Sequence, residues 1–381
     1  MEIPLSYELL RVLWWGLMGV LLIGFAATDG FDLGVAALLP FVARTDTERR
    51  VAINTVGPTW EGNQVWLILG GGAIFAAWPY VYAISFSAFY LAMFVVLAAL
   101  ILRPVAFKYR SKRDDPRWRS FWDWALFVGG FVPTLIFGVA VGNVLQGAPF
   151  TLDETLRASW HGSFIGLLNP FALMCGLLSV SMLVLHGATW LSMKAEHGPV
   201  RDRARVFGRL AGYGVLVLFA LGGAWVAFGS IGFAQVGSVD PNGPSNPLRT
   251  ETIAEAGAWL KNYAAHPWTA LAPILGFAGA GLALFGLRIS SEALAFLGSK
   301  LSVFGIIATV GVSMFPFILP SSIDPNASLT VWNASSSHLT LFIMLIVTAI
   351  FLPIVLAYTA WAFKVMWGRV TSEDVASGDM Y

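Results

Sequence analysis

The chain has 381 residues, 57% hydrophobic and only 12% charged, with a mean hydropathy of +0.72 and a formal net charge of +1. So little polar surface cannot cover a water-soluble globule of this length, so lipid is the expected solvent. The charge balance argues against a nucleic-acid partner, which needs a basic excess against phosphate, and the single cysteine, Cys175, has no partner for an internal disulfide or a cysteine-based metal site.

A helix needs about 20 apolar residues to cross a bilayer. Nine runs fit, beginning with residues 10–39. A single arginine, Arg11, opens that run and no small-residue cleavage site follows it, so it reads as a retained helix and not a signal peptide. Runs 57–78 and 80–102 come next, parted by a tight turn at Trp78-Pro79-Tyr80, where proline stops one helix and the aromatics suit headgroup depth. Runs 121–145, 162–193 and 210–229 follow. The long connection 230–266 opens with turn-rich sequence around Pro241-Asn242-Gly243-Pro244, and its segment 251–263 reads as a short helix, more simply a surface cap over the bundle than a substrate lid. Runs 267–287, 294–319 and 339–366 complete the set. The expected fold is all-α: one integral membrane domain over 1–381, with helices one to four in about 10–145, five to eight in about 162–319 and a ninth in about 339–366. The first eight are expected to form two four-helix groups.

Positive residues collect in cytoplasmic loops, and alternating the loops sorts them. One side takes Arg44, Arg49, Arg50, Arg103, Lys108, Arg110, Lys112, Arg113, Arg117, Arg119, Lys194, Arg201, Arg203, Arg205, Arg209, Arg288, Lys364 and Arg369; the other takes Arg11, Arg157, Arg249 and Lys261. Lys300 lies inside the eighth run. This asymmetry predicts an outside N-terminus and a cytoplasmic C-terminus.

Carboxylates within a bilayer cost roughly 2.5–3.5 kcal/mol each on insertion scales, so those retained face protein or water. Asp29 and Asp32 are three apart on one helix face, and Glu61 lies about one turn into the second run. If the first two helices pack antiparallel, all three reach similar depth. Asp123 adds an acid at the mouth of the fourth run, beside a basic loop. Together they suggest a stepped proton inlet. The competing reading is structural, with Asp29 or Asp32 paired to Arg103 or capping a broken helix near Gly30 and Gly34. Gly30, Gly34, Gly62 and Gly70-Gly71-Gly72 read as close helix contacts. Asn63 and Gln64 can hydrogen-bond across helices or hold water beside Glu61. Of five histidines only His186 falls plausibly within a span, where an ordinary polar contact is the simpler reading than haem ligation. No residue is assigned to a metal or a cofactor.

The ordered segments Gly24-Phe25-Ala26-Ala27-Thr28-Asp29-Gly30-Phe31-Asp32-Leu33-Gly34, Gly62-Asn63-Gln64-Val65-Trp66, Phe75-Ala76-Ala77-Trp78-Pro79, Arg103-Pro104-Val105-Ala106-Phe107-Lys108-Tyr109-Arg110-Ser111-Lys112, Gly142-Asn143-Val144-Leu145-Gln146-Gly147, Met314-Phe315-Pro316-Phe317 and Asn326-Ala327-Ser328-Leu329-Thr330 resemble subunit two of the cytochrome bd-type quinol oxidases over nearly the whole chain. The resemblance implies a nine-helix inner-membrane subunit, N-terminus periplasmic, paired with a like-folded haem-bearing subunit one. That partner would hold the quinol site, two b-type haems and one d-type haem, reducing oxygen to water with protons drawn from the cytoplasm. Small accessory subunits, membrane lipid and quinone are further associations the resemblance allows. It makes the acids matching Asp29 and Glu61 candidates for proton delivery across the subunit interface, although Glu61 replaces an expected aspartate. His186 stands where glutamine is expected and takes no role. Two other classes compete: a secondary transporter coupled through Asp29 and Glu61, and an assembly scaffold without a proton role.

Overall fold

The computed structural model describes residues 3–237 and 239–376. Its helices are α1 (Tyr7–Val42), α2 (Asp46–Asn54), α3 (Trp60–Ala77), α4 (Pro79–Ala88), α5 (Tyr90–Tyr109), α6 (Pro116–Gln146), α7 (Pro170–Lys194), α8 (Pro199–Phe228), α9 (Lys261–Ala265), α10 (Leu271–Ile289), α11 (Glu292–Met314), α12 (His338–Val365) and α13 (Ser372–Ala376). Eight of these are long and apolar enough to cross a membrane among the described residues, and α3 with α4, bent by 120°, makes up to nine.

The bend falls at Trp78-Pro79, where Trp78 leaves helical geometry and Pro79 starts α4 at its first turn. The expected run 80–102 is therefore two pieces, since Phe89 breaks the helix between α4 and α5. Hydropathy does not register such a break because both sides are equally apolar. Helix ends also move. α7 begins at Pro170, not near residue 162, because Asn169 caps it by accepting from Ala172 N at 2.9 Å. α8 begins at Pro199, well before residue 210, since its charged first turns are helical without being apolar. α11 stops at Met314, short of residue 319, where Pro316 lacks the N–H that continuation needs.

α1 is the hub, touching α3, α6, α7, α8, α11 and α12, while α7 packs on α6 and α8, α5 on α6, and α10 on α11 and α8. The α1–α7 crossing is a backbone contact: a Cβ built on Gly34 would sit 2.0 Å from the Leu183 carbonyl oxygen. Gly62, Gly71 and Gly72 behave differently from expectation, since a Cβ on any of them meets nothing within 4 Å. Those three face away from the rest of the chain.

Three antiparallel hairpins close one end of the bundle: β1 (Phe150–Leu152) with β2 (Ala158–Trp160), β3 (Phe233–Val236) with β4 (Glu251–Ala254), and β5 (Phe317–Leu319) with β6 (Leu329–Thr330). Segment 251–263, expected as a helix, begins as strand β4 because Thr252 and Ile253 alternate inward and outward against β3, then turns at Gly257 (φ +73) into a 3-10 turn and α9. Trp259 anchors this cap through Nε1 to Leu145 O at 3.1 Å. At the opposite end α2, opened by a Thr45–Glu48 capping box, lies among the basic loops.

Candidate functional site: carboxylates inside the bundle

Asp29 and Asp32 sit one turn apart on α1, and each is met by a different helix. Arg103 of α5 grips Asp29 with both arms, Nη2 to Oδ1 at 2.8 Å and Nη1 to Oδ2 at 3.0 Å. Asn63 of α3 donates Nδ2 to Asp32 Oδ2 at 2.7 Å. Asp29, Asp32 and Arg103 are 0%, 1% and 0% exposed, and Asp32 feels the charge of both others. Asp32 Oδ1 and Arg103 Nε have no hydrogen-bond partner among the described residues. One guanidinium thus faces two carboxylates. The set is neutral when one acid holds a proton and carries −1 when both are ionised.

Local sequence explains the placement. Trp60 and Asn63, three apart, turn the inner face of α3 toward α1 and α5, where Trp60 stacks on Phe107 with centroids 5.1 Å apart and lies beneath the Arg103 guanidinium at 6.0 Å. Gly129 of α6 makes room, since a Cβ there would come within 2.8 Å of Arg103 Cγ. The same helical period carries Glu61 outward. Glu61 is exposed on α3 and does not join the pair on α1, so the three acids do not converge within this chain. Asn63, expected beside Glu61, serves Asp32 instead.

Asp123 belongs to a separate network. Arg110 bonds it through Nε to Oδ1 at 2.6 Å and Arg49 through Nη1 to Oδ2 at 2.7 Å. Arg110 also reaches Asp46 at 2.8 Å, and Arg119 links Asp46 to Asp114 at 2.8 and 2.5 Å. Nearby, burial works against the charged form of Glu48, but backbone N–H groups of Arg44 and Thr45 and the Arg203 guanidinium hold its carboxyl below the ordinary value. Arg49 of α2, Arg110 just after α5, Arg119 of α6 and Arg203 of α8 therefore meet at one end, bound through acids.

His186 is a residue whose setting the sequence did not show. Its Nε2 donates to Ala27 O at 3.1 Å, its Nδ1 meets Ser299 Oγ at 2.8 Å, and Ser299 in turn meets Thr189 Oγ1 at 2.8 Å. The ring lies flat on Phe296, with centroids 5.1 Å apart and planes 6° from parallel. With both nitrogens engaged and one face covered, this histidine does not fit an axial haem ligand. The interruption of the apolar eighth run by Ser299-Lys300 was the available signal. Among the described residues no group of three or more His, Cys, Asp or Glu is placed to hold a metal ion.

Comparison with known proteins extends beyond this geometry. The family "Cytochrome bd terminal oxidase subunit II" matches residues 10–366. The chain is 51% identical over 371 residues to cytochrome bd-I ubiquinol oxidase subunit 2 of Escherichia coli (strain K12), covering 97% of this chain and 98% of that one. It is 31% identical over 365 residues to cytochrome bd ubiquinol oxidase subunit 2 of Bacillus subtilis (strain 168), covering 96% and 98%. The solved bd oxidase from Geobacillus thermodenitrificans shares the fold, with a TM-score of 0.70 at 14% identity over 93% of this chain and 98% of that one.

Proposed function

The chain belongs to the cytochrome bd terminal oxidase subunit II family, and from that premise we propose that it is the subunit of a membrane quinol:oxygen oxidoreductase that ligates no haem and serves as scaffold and proton path. Its partner is a haem-bearing subunit one, which carries two b-type haems and one d-type haem and oxidises quinol. The subunit lies in the bacterial inner membrane with its N-terminus outside. Its first eight spans form two four-helix groups, a reading supported by the packing of α10 on α11 and α8, and of α1 on α3 and α6, with α7 joining the groups through α1 and α6. The basic end is the cytoplasmic one.

The observation that carries the proton role is the buried set of two carboxylates and one guanidinium, with Asp32 Oδ1 left without a partner among the described residues. Bringing a second carboxylate beside a satisfied Asp29–Arg103 pair adds nothing to packing and costs desolvation, so its retention points to a proton that comes and goes. In this reading Asp32 exchanges the proton while Asp29 and Arg103 fix its surroundings. Glu61, on the outward face of α3, hands protons towards the partner. Asp123, held by two arginines, organises the entrance.

The test is Asp32→Asn, with Glu61→Gln beside it, in the assembled complex. Oxygen consumption with quinol should fall by tenfold or more for Asp32→Asn while the visible haem spectrum stays at wild-type intensity. Wild-type turnover in both variants would leave the scaffold reading standing and remove the proton path.

A further inference from the structure

At the basic end an open groove of about 570 Å³ separates the end of α1 from the start of α8. Its walls are apolar: Phe41 and Val206 are 46% and 48% exposed, and the rings of Phe41 and Phe207 meet with centroids 5.8 Å apart. Its rim is charged with both signs, from Arg44, Asp202 and Arg203. Arg203 commits Nη1 to Val42 O and Glu48 Oε2, both at 2.9 Å, and so is fixed in place. The side chains of Arg44 and Asp202 have no partner among the described residues, and both are exposed.

The groove continues as a track along α8. Val206, Leu210, Tyr213, Val217 and Leu221 recur three and four apart, and all are exposed, 48%, 63%, 60%, 57% and 52%. At 1.5 Å per residue this apolar stripe runs about 22 Å from the charged rim toward the other end of the bundle, the reach of one extended acyl chain. A soluble phosphate would use the arginines and ignore the track. A lipid uses both.

We propose that this groove is a binding site for a phospholipid carrying a phosphate and a primary amine, such as phosphatidylethanolamine. The phosphate lies on Arg44 and the free edge of Arg203, the ammonium on Asp202, and one acyl chain along α8. Asp202 decides the headgroup: it rewards a donor-bearing cation with a charge-assisted hydrogen bond, offers a quaternary ammonium only charge attraction without that bond, and repels a headgroup of net negative charge.

The assembled complex is equilibrated in micelles doped with equal amounts of phosphatidylethanolamine, phosphatidylcholine and phosphatidylglycerol of identical acyl chains, and retained lipid is counted by native mass spectrometry. We expect one phosphatidylethanolamine per chain, retained about tenfold over either competitor, as a single charge-assisted hydrogen-bonding site supplies. Val206→Trp, which fills the groove, should remove that one lipid. Asp202→Asn should bring phosphatidylglycerol to parity, and Arg44→Gln should lower retention of all three about tenfold. Equal retention of the three lipids by the wild type, an unchanged count in Val206→Trp, or an unchanged preference in Asp202→Asn would overturn the proposal.

Discussion

Arg103 and Asp29 form a bidentate pair with no exposure to speak of, and such a pair is worth most when judged by what its loss exposes. Arg103→Met leaves two buried carboxylates without a cation; Asp29→Leu leaves a buried guanidinium facing Asp32 alone, through charge and not through a hydrogen bond. Each single change should cost about 3–5 kcal/mol, while the double variant, which removes the pair, fills its space and leaves Asp32 to hold a proton beside Asn63, should recover most of it. Thermal inactivation midpoints of the purified complex check this: both singles fall, and the double returns toward wild type. Equal losses in all three would mean that the ion pair itself, and not the stranded charge, carries the stability. That Asp29 and Arg103 are partners was only one of two readings of the sequence, because they lie 74 residues apart and nothing local joins them. The outward turn of Glu61 was, by contrast, available from helical period alone once Trp60 and Asn63 are taken as the inner face.

Helices are where sequence and structure agree best, because a bilayer demands a length and an apolar content that few residues can evade. The ends of those helices obey different physics. A cap such as Asn169 or a charged first turn such as that of α8 is set by hydrogen bonding, which hydropathy does not register. Glycines show the same limit. Gly34 and Gly62 look alike in the sequence, yet one lies at a backbone crossing and the other faces away from the chain. Gly34→Ala should therefore force α1 from α7 and cost about 1–3 kcal/mol or more. Gly62→Ala should leave the chain as stable as before or slightly more so, by up to about 1 kcal/mol from helix propensity. Denaturation midpoints of the two variants in one detergent give the comparison, and similar losses in both would show that small residues matter here for some reason other than the α1–α7 contact.

At the scale of the whole molecule, the weakest attachment among the described membrane-length helices belongs to α12, of which only Leu341 is buried. Its middle offers little to hold it. The two ends do the work: near the start, Trp14 Nε1 donates to Leu341 O at 2.9 Å, and beyond the end the chain folds back on the α7–α8 connection. Lys194 Nζ donates to Met366 O at 3.0 Å, Val370 N to Lys194 O at 2.8 Å and Glu196 N to Val370 O at 3.1 Å. Arg369 reaches Glu292 at 2.8 Å, and Val375 enters the same apolar cluster as Val51 and Ala52 of α2. The segment after α12 is thus a strap that ties the last span to α2, α7 and α11. A charged tail of this kind gives no apolar signal, and its role appears only when the basic loops are seen meeting at one end. Ending the chain after Met366 should release that end of α12 while the crossing at Trp14 holds. Hydrogen exchange should then rise about tenfold in the last two turns of α12, with amides around Leu341 and throughout α1 unchanged, since opening free energies are local. Unchanged exchange in those two turns would mean that lipid and the packing of Phe363 on Trp190 and Phe31 suffice to hold the span without its strap.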